Sequence, residues 1–450
     1  MMHPMELQRT YRGNAERPEE ERRSLADHGV AEVALIIASI PSGEEDEKER
    51  LSELTELLRT AGVEVGEVVV QHRDRPDPRT YLGKGRLEDV IEVKKRIKPD
   101  VIVAEGELTP GQQRHLEDKF KTRVVDRTAV ILDIFAQHAT SAEGKLQVEL
   151  AQLEYSYARQ EGLWQHLERL GGGVGTRGPG ESQLESDRRM IRSRMGMLKR
   201  RLRETDGNRA VMRRQRVDSG LARVALAGYT NAGKSTLMNA LTGADVVASD
   251  ALFVTLDATV RSFEHAGIRL LVSDTVGFIR HLPHELVAAF HSTLDEVREA
   301  DLILHVSDAS ETEHRRNEQA RAVEEVLDQI GASQVPRLAV FNKIDRVDPE
   351  ARLMLARRSP DAIFVSASGG EGLPALRERL GEVARSRLTP IDIVVPYGRG
   401  DLVSSIYQAG RDVQQDALED GARIRALLPA ADAARIAASL AAEVSITKPS

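Results

Sequence analysis

The chain has no cysteine, which removes disulfide frameworks and thiolate metal sites from consideration. A reducing compartment fits that absence, so a cytoplasmic placement is the expectation. Aromatic residues are few, 4% of the total, with one tryptophan. No apolar run approaches the roughly 18 residues that a membrane span requires, so no span is expected. The first thirty residues lack the apolar stretch of a secretory signal. Net positive charge is missing too. With 63 Lys and Arg against 71 Asp and Glu the balance is −8, so the surface as a whole is no polyanion binder. Any nucleic-acid contact must come from a local basic patch.

What is present is a globular balance of 41% hydrophobic and 30% charged residues over 450 positions. That length suggests roughly two to four domains. Residues 1–30 read as a charged, disordered arm. From Val33 to Phe135, short apolar runs alternate with helical spacing, as at Val33 to Ile37, Leu51 to Leu58, Val63 to Val70 and Leu87 to Ile97. Such alternation implies a parallel sheet, giving an N-terminal α/β domain over 31–140. Thr109-Pro110 has the form of a helix N-cap and first helical residue. Over 141–216, Leu146, Leu150, Leu153 and Tyr157 form one narrow apolar seam and Ile191, Met195, Leu198 and Leu202 another. Two such seams predict a helical hairpin, with the glycine-rich run Gly171 to Gly180 at its tip. A second α/β domain spans 221–388, with a mixed, mostly parallel sheet expected, and a small α/β appendage spans 391–446.

The chemistry is concentrated in the second α/β domain. Arg223 to Ala227 reads as a strand, followed by Gly228-Tyr229-Thr230-Asn231-Ala232-Gly233-Lys234-Ser235 and a helical run from Thr236. GxxxxGKS between a strand and a helix is a phosphate-binding loop: glycines let backbone N–H groups approach phosphates, and the helix N-terminus favours their charge. Lys234 is expected to reach the β- and γ-phosphates, and Ser235 to bind Mg²⁺. Asp274 ends a second strand and suits the magnesium shell, and the Gly277 N–H suits the γ-phosphate. Thr255 is the expected third ligand, with Thr259 as the alternative. A third strand ends in Asn342-Lys343-Ile344-Asp345. Its Asp345 carboxylate can accept two hydrogen bonds from guanine, whereas adenine has no donor at N1. Ser366, Ala367 and Ser368 form a small-residue loop that can support the base. GTP and GDP are therefore the expected ligands and GTP hydrolysis the expected reaction, with Lys234, Thr255, Gly277 and Asn231 as candidate catalytic groups.

Phe278 stands where many GTPases place a water-orienting glutamine, which predicts slow intrinsic turnover. Asn231 either braces the loop or helps hold K⁺ beside the phosphates. His281, His284 and His291 lie near Phe278 but fit an exposed helix start equally well.

The motif Asp274-Thr275-Val276-Gly277-Phe278-Ile279-Arg280 resembles that of the HflX family of translational GTPases. The resemblance extends to Pro76-Asp77-Pro78-Arg79-Thr80-Tyr81-Leu82-Gly83-Lys84-Gly85, to Gln112-Gln113-Arg114, to Asp126-Arg127-Thr128 and to Arg177-Gly178-Pro179-Gly180-Glu181. It covers roughly 33–390, and departs from the family at Ala258, where proline is usual. It implies binding to the large ribosomal subunit, and in some members ribosome splitting under stress. Independently, residues 187–216 hold twelve Lys or Arg against three Asp or Glu. Arg188, Arg189, Arg192, Arg200 and Arg201, with Arg177 at the loop tip, are the expected contacts to ribosomal RNA phosphates. A monomer is expected. The alternative reading is a GTP-driven RNA-remodelling enzyme that does not act on whole ribosomes.

Overall fold

The computed structural model describes residues 32–43, 46–170, 186, 188–205, 221–243, 252–253, 259–265, 267–280, 286 and 291–446. The arm 1–30, the glycine-rich loop, Arg177, Thr255, His281 and His284 lie outside the described residues. Two compact units are present: 1–203 with 249–256 and 282–290, and 204–248 with 257–281 and 291–450.

The first unit is built on a parallel sheet in the order β2-β1-β3-β4. Its strands are β1 (Glu32–Ile40), β2 (Val63–His72), β3 (Val101–Ala104) and β4 (Arg123–Asp126). The helices α1 (Glu47–Thr60), α2 (Lys84–Ile97), α3 (Pro110–Phe120) and α4 (Arg127–His138) alternate with and follow them. Leu35, Ile37, Ile102, Ala104, Leu116 and Phe120 share one core. The two central strands, β1 and β3, are apolar on both faces, as sheets covered on both sides require. Thr109 caps α3 as its sequence anticipates, in a reciprocal capping box with Gln112, and Pro110 is in the first turn. Gly83-Lys84-Gly85 leads into α2 and forms no phosphate loop.

Helix α5 (Ala142–Leu170) and a second helix, α6, over 188–205 realise the expected hairpin segments. Ile191, Met195, Leu198 and Leu202 are all at least half-buried in α6, with Leu198 fully buried. Glu149–Arg194 (2.6 Å) and Glu154–Lys199 (2.8 Å) ion pairs tie the two helices.

Leu252 and Phe253 also belong to the first unit, and both are buried. The Phe253 ring stands edge-on to Phe135 at 4.6 Å, and Leu252 N donates to Thr60 Oγ1 at 3.2 Å.

The second unit carries a six-stranded sheet in the order β10-β9-β8-β5-β7-β6. The members are β5 (Ala222–Gly228), β6 (Thr259–His265), β7 (Ile268–Asp274), β8 (Leu302–Asp308), β9 (Arg337–Asn342) and β10 (Ile363–Phe364). Every pairing is parallel except β6 with β7, so the sheet is mixed and mostly parallel. Helices α7 (Lys234–Thr242), α8 (His291–Arg298), α9 (Glu313–Gln329), α10 (Pro349–Arg358) and α11 (Leu373–Ser386) complete this layer. Strand β10 pairs with β9 at Ile363 and Phe364, just before the Ser366 loop. Beyond it, β11 (Thr389–Pro396), β12 (Arg411–Ala417) and β13 (Gly421–Leu428) form an antiparallel sheet with α12 (Gly400–Ala409) and α13 (Ala430–Ile446). Among the described residues no helix is long and apolar enough to cross a membrane.

Candidate active site

Strand β5 delivers the loop Tyr229 to Gly233, and α7 begins at Lys234. Two positions show why glycine is required. Gly233 sits at φ +86, and a Cβ there would lie 2.3 Å from Asn342 Nδ2. A Cβ at Gly277 would meet Thr230 Cγ2 at 2.8 Å and Lys234 Nζ at 3.2 Å. Lys234 is buried, and its Nζ donates to the carbonyls of Gly228 (3.0 Å) and Tyr229 (2.9 Å). Burial pulls its pKa down to about 8, with nearby Asp274 acting against the fall. Asn231 is exposed and left-handed at φ +60. Thr236 follows in the first turn of α7, half-buried.

Ser235 and Asp274 meet, the hydroxyl donating to Asp274 Oδ2 at 2.7 Å. Asp274 is nearly fully buried at the end of β7. A hydroxyl and a carboxylate are hard oxygen donors, the set that magnesium takes alongside substrate phosphates and waters. No group of three or more His, Asp or Glu that could hold a metal by itself occurs among the described residues. Thr259, the alternative to Thr255, opens β6 in register with Asp274, and it is exposed.

The residues after Asp274 are fastened to the phosphate loop. Phe278 N donates to Gly228 O (3.2 Å) and Phe278 O accepts from Thr230 N (2.8 Å). The Phe278 side chain is fully buried. Tyr229 Oη accepts from Arg280 N at 3.0 Å, and Arg280 is paired with Glu318 at 2.8 Å.

Asn342 joins three motifs. Its Nδ2 donates to Ala232 O (2.9 Å), and its Oδ1 accepts from Ala367 N (3.0 Å). Asp345 is exposed, and a hydrogen bond from the Ser366 side chain holds its carboxyl below the ordinary range. Ser366 is itself buried, its Oγ accepting from Gly369 N at 3.0 Å and lying 3.4 Å from Ser368 Oγ. Lys343, left-handed at φ +61, is paired with Asp308 at 2.8 Å. Asp308 was not among the residues expected here. It ends β8 as Asp274 ends β7, and that shared pattern is the only signal the sequence offered.

Of the expected RNA contacts, Arg188 and Arg192 are committed within the hairpin. Both bond Tyr157 Oη, at 3.1 and 2.6 Å, and both lie 5.2 Å from its ring centre. Arg189, Arg200 and Arg201 project from exposed positions of α6.

Three family models match the chain: "GTP-binding GTPase N-terminal" over 48–136, "GTP-binding GTPase Middle Region" over 138–216 and "50S ribosome-binding GTPase" over 223–343. Among curated proteins, the chain is 44% identical to GTPase HflX of Lacrimispora saccharolytica, covering 89% of this chain and 94% of that protein. It is 42% identical to GTPase HflX of Caldanaerobacter subterraneus, covering 88% and 90%. It is 43% identical to GTPase HflX of Escherichia coli K12, covering 88% and 93%.

Proposed function

The chain belongs to the HflX family of GTPases and hydrolyses GTP, and on that premise we propose that it is a switch acting on the large ribosomal subunit. In this reading, GTP binding and hydrolysis drive the dissociation or rescue of ribosomes under stress, in the cytoplasm, by a monomer. The observation that carries it is the match of 223–343 to a model described as a 50S ribosome-binding GTPase. Exposed Arg189, Arg200 and Arg201 on α6 supply the phosphate-facing charge, joined by Arg177 on the glycine-rich loop. The division into arm, N-terminal domain, hairpin, GTP-binding domain and C-terminal appendage is part of the same proposal.

At the site, the N–H groups of the phosphate loop and Lys234 neutralise the β- and γ-phosphates. Asp345 accepts from guanine N1–H and the exocyclic amine, while Ser366, Ala367 and Ser368 back the base. Ser235 and Asp274, with Thr255 as third ligand, would hold Mg²⁺, which supplies positive charge against the phosphate oxygens. The Gly277 N–H faces the γ-phosphate. Phe278 brings no group that can orient water, so intrinsic turnover is slow and a partner stimulates it. In this reading Asn231 helps hold K⁺ beside the phosphates.

The test is cosedimentation with purified large subunits in GTP, in GDP and in a non-hydrolysable analogue. Pelleting that depends on the triphosphate supports the switch. No pelleting in any nucleotide overturns it and favours a GTP-driven enzyme acting on free RNA.

A further inference from the structure

Every residue from Thr275 to Ile279 is buried, and Thr275 Oγ1 donates to Leu226 O at 2.7 Å. The backbone is tied as well. Phe278 donates to Gly228 O and accepts from Thr230 N, so this stretch lies directly against the phosphate loop. Gly277 is therefore held beside Lys234, whose Nζ would be 3.2 Å from a Cβ at Gly277.

One further tie reaches beyond the phosphate loop. Arg280 is fixed at both ends: its backbone N–H donates to Tyr229 Oη at 3.0 Å, and its guanidinium donates to Glu318 Oε2 at 2.8 Å. Tyr229 is buried, and the Arg280 and Glu318 side chains are only 11% and 20% exposed. Salt screens such a shielded pair less than an exposed one. Glu318 also stands on a firm base. Helix α9 starts at the Thr312 cap and buries Gln319, Ala322, Val323, Val326 and Leu327. The other Glu318 oxygen, Oε1, lies 3.4 Å from His314 Nε2. None of the GTP motifs calls for Glu318, and the GxxxxGKS pattern leaves the position of Tyr229 open.

We propose that Glu318 and Arg280 are positioning residues for GTP, forming with Tyr229 a strut that holds the Gly277 N–H against the γ-phosphate. The effect is differential. GDP has no γ-phosphate and makes no contact with that N–H. How firmly Gly277 is held therefore alters the affinity for GTP and leaves that for GDP alone. An N–H already fixed in place also spares the ligand the cost of ordering it. An ion pair that merely stabilised the fold would not separate the two nucleotides.

The proposal rests on the reading of Gly277 as a γ-phosphate ligand, and the experiment tests the two separately. Affinities of the full chain for GDP and for a non-hydrolysable GTP analogue are measured by calorimetric titration in magnesium. In Glu318→Ala the ratio of triphosphate to diphosphate affinity should fall on the order of tenfold, with GDP affinity held. Arg280→Ala should give the same fall, and the double variant no larger one, because both act through one contact. Gly277→Ala probes the underlying reading, since its Cβ would crowd Thr230 and Lys234 where the γ-phosphate is expected. If Gly277→Ala leaves the ratio unchanged, the γ-phosphate reading fails, and the strut with it. If Gly277→Ala lowers the ratio and Glu318→Ala does not, the strut alone is overturned. Equal losses for both nucleotides in Glu318→Ala, additive losses in the double variant, or tighter binding of the analogue would overturn it too.

Discussion

Ser235 Oγ donates to Asp274 Oδ2 across 2.7 Å, bringing together residues from α7 and β7 that are 39 positions apart in sequence. If these oxygens hold magnesium, Ser235→Ala and Asp274→Asn should each raise the Mg²⁺ concentration needed for half-maximal GTP hydrolysis, on the order of 10- to 100-fold. A magnesium titration at fixed GTP reads this directly. An unchanged midpoint in both variants removes them from the metal shell.

Lys234 should make nucleotide binding pH-dependent. Burial has lowered its pKa to about 8, so the free protein loses this positive charge as pH rises through that value. Phosphate prefers the charged ammonium, so GTP affinity should be full below about pH 7 and decline above about pH 8. Lys234→Met should bind more weakly and show no such decline. A flat affinity from pH 6 to 9.5 in the parent would contradict this.

Asp345 should set base identity. Asparagine at this position offers a donor where guanine also offers one, so Asp345→Asn should lose GTP affinity by about 100-fold or more. Xanthosine triphosphate, with an acceptor at C2, should gain relative to GTP. The Ser366 hydrogen bond keeps the Asp345 carboxyl ionised to lower pH. Ser366→Ala should therefore shift the acid loss of GTP binding upward in pH. Equal preference for the two nucleotides in Asp345→Asn would argue against the pairing.

Asp308 is the partner of Lys343, and both side chains are largely shielded, at 11% and 16% exposure. Asp308→Ala leaves a shielded ammonium without its carboxylate, which should lower unfolding stability by about 2 kcal/mol. Because Lys343 adjoins Asp345, the KM for GTP should rise severalfold while kcat holds. A fall in kcat at constant KM would place Asp308 in the chemistry instead.

The potassium role of Asn231 has a simple check. Hydrolysis should run faster in potassium than in sodium, and Asn231→Ala should erase the difference. Equal rates in the two salts leave Asn231 as a loop brace only.

The strand–loop–helix framework of the candidate site was legible because its motifs are local. GxxxxGKS needs only a strand before it and a helix after it, and Thr109-Pro110 announces a helix start within two residues. The links between motifs were not legible. Asn342 reaches Ala232 across 110 positions and Ala367 across 25, contacts that depend on strand order and register. Asp308 meets Lys343 because β8 and β9 lie side by side with Asp308 opposite Asn342. Helical spacing located the seam of α6, but it could not show that Tyr157 takes up Arg188 and Arg192. Contiguity along the chain likewise gave no hint that Phe253 buries its ring against Phe135.

That last burial makes the molecule resist being cut into parts. Residues 249–256 and 282–290 belong to the first unit, so the chain passes between the two units five times: after 203, 248, 256, 281 and 290. A single nick after Arg203 would leave four covalent passages intact. A fragment beginning at Leu221 would carry Leu252 and Phe253 away from Thr60 and Phe135, leaving two apolar side chains bare to water.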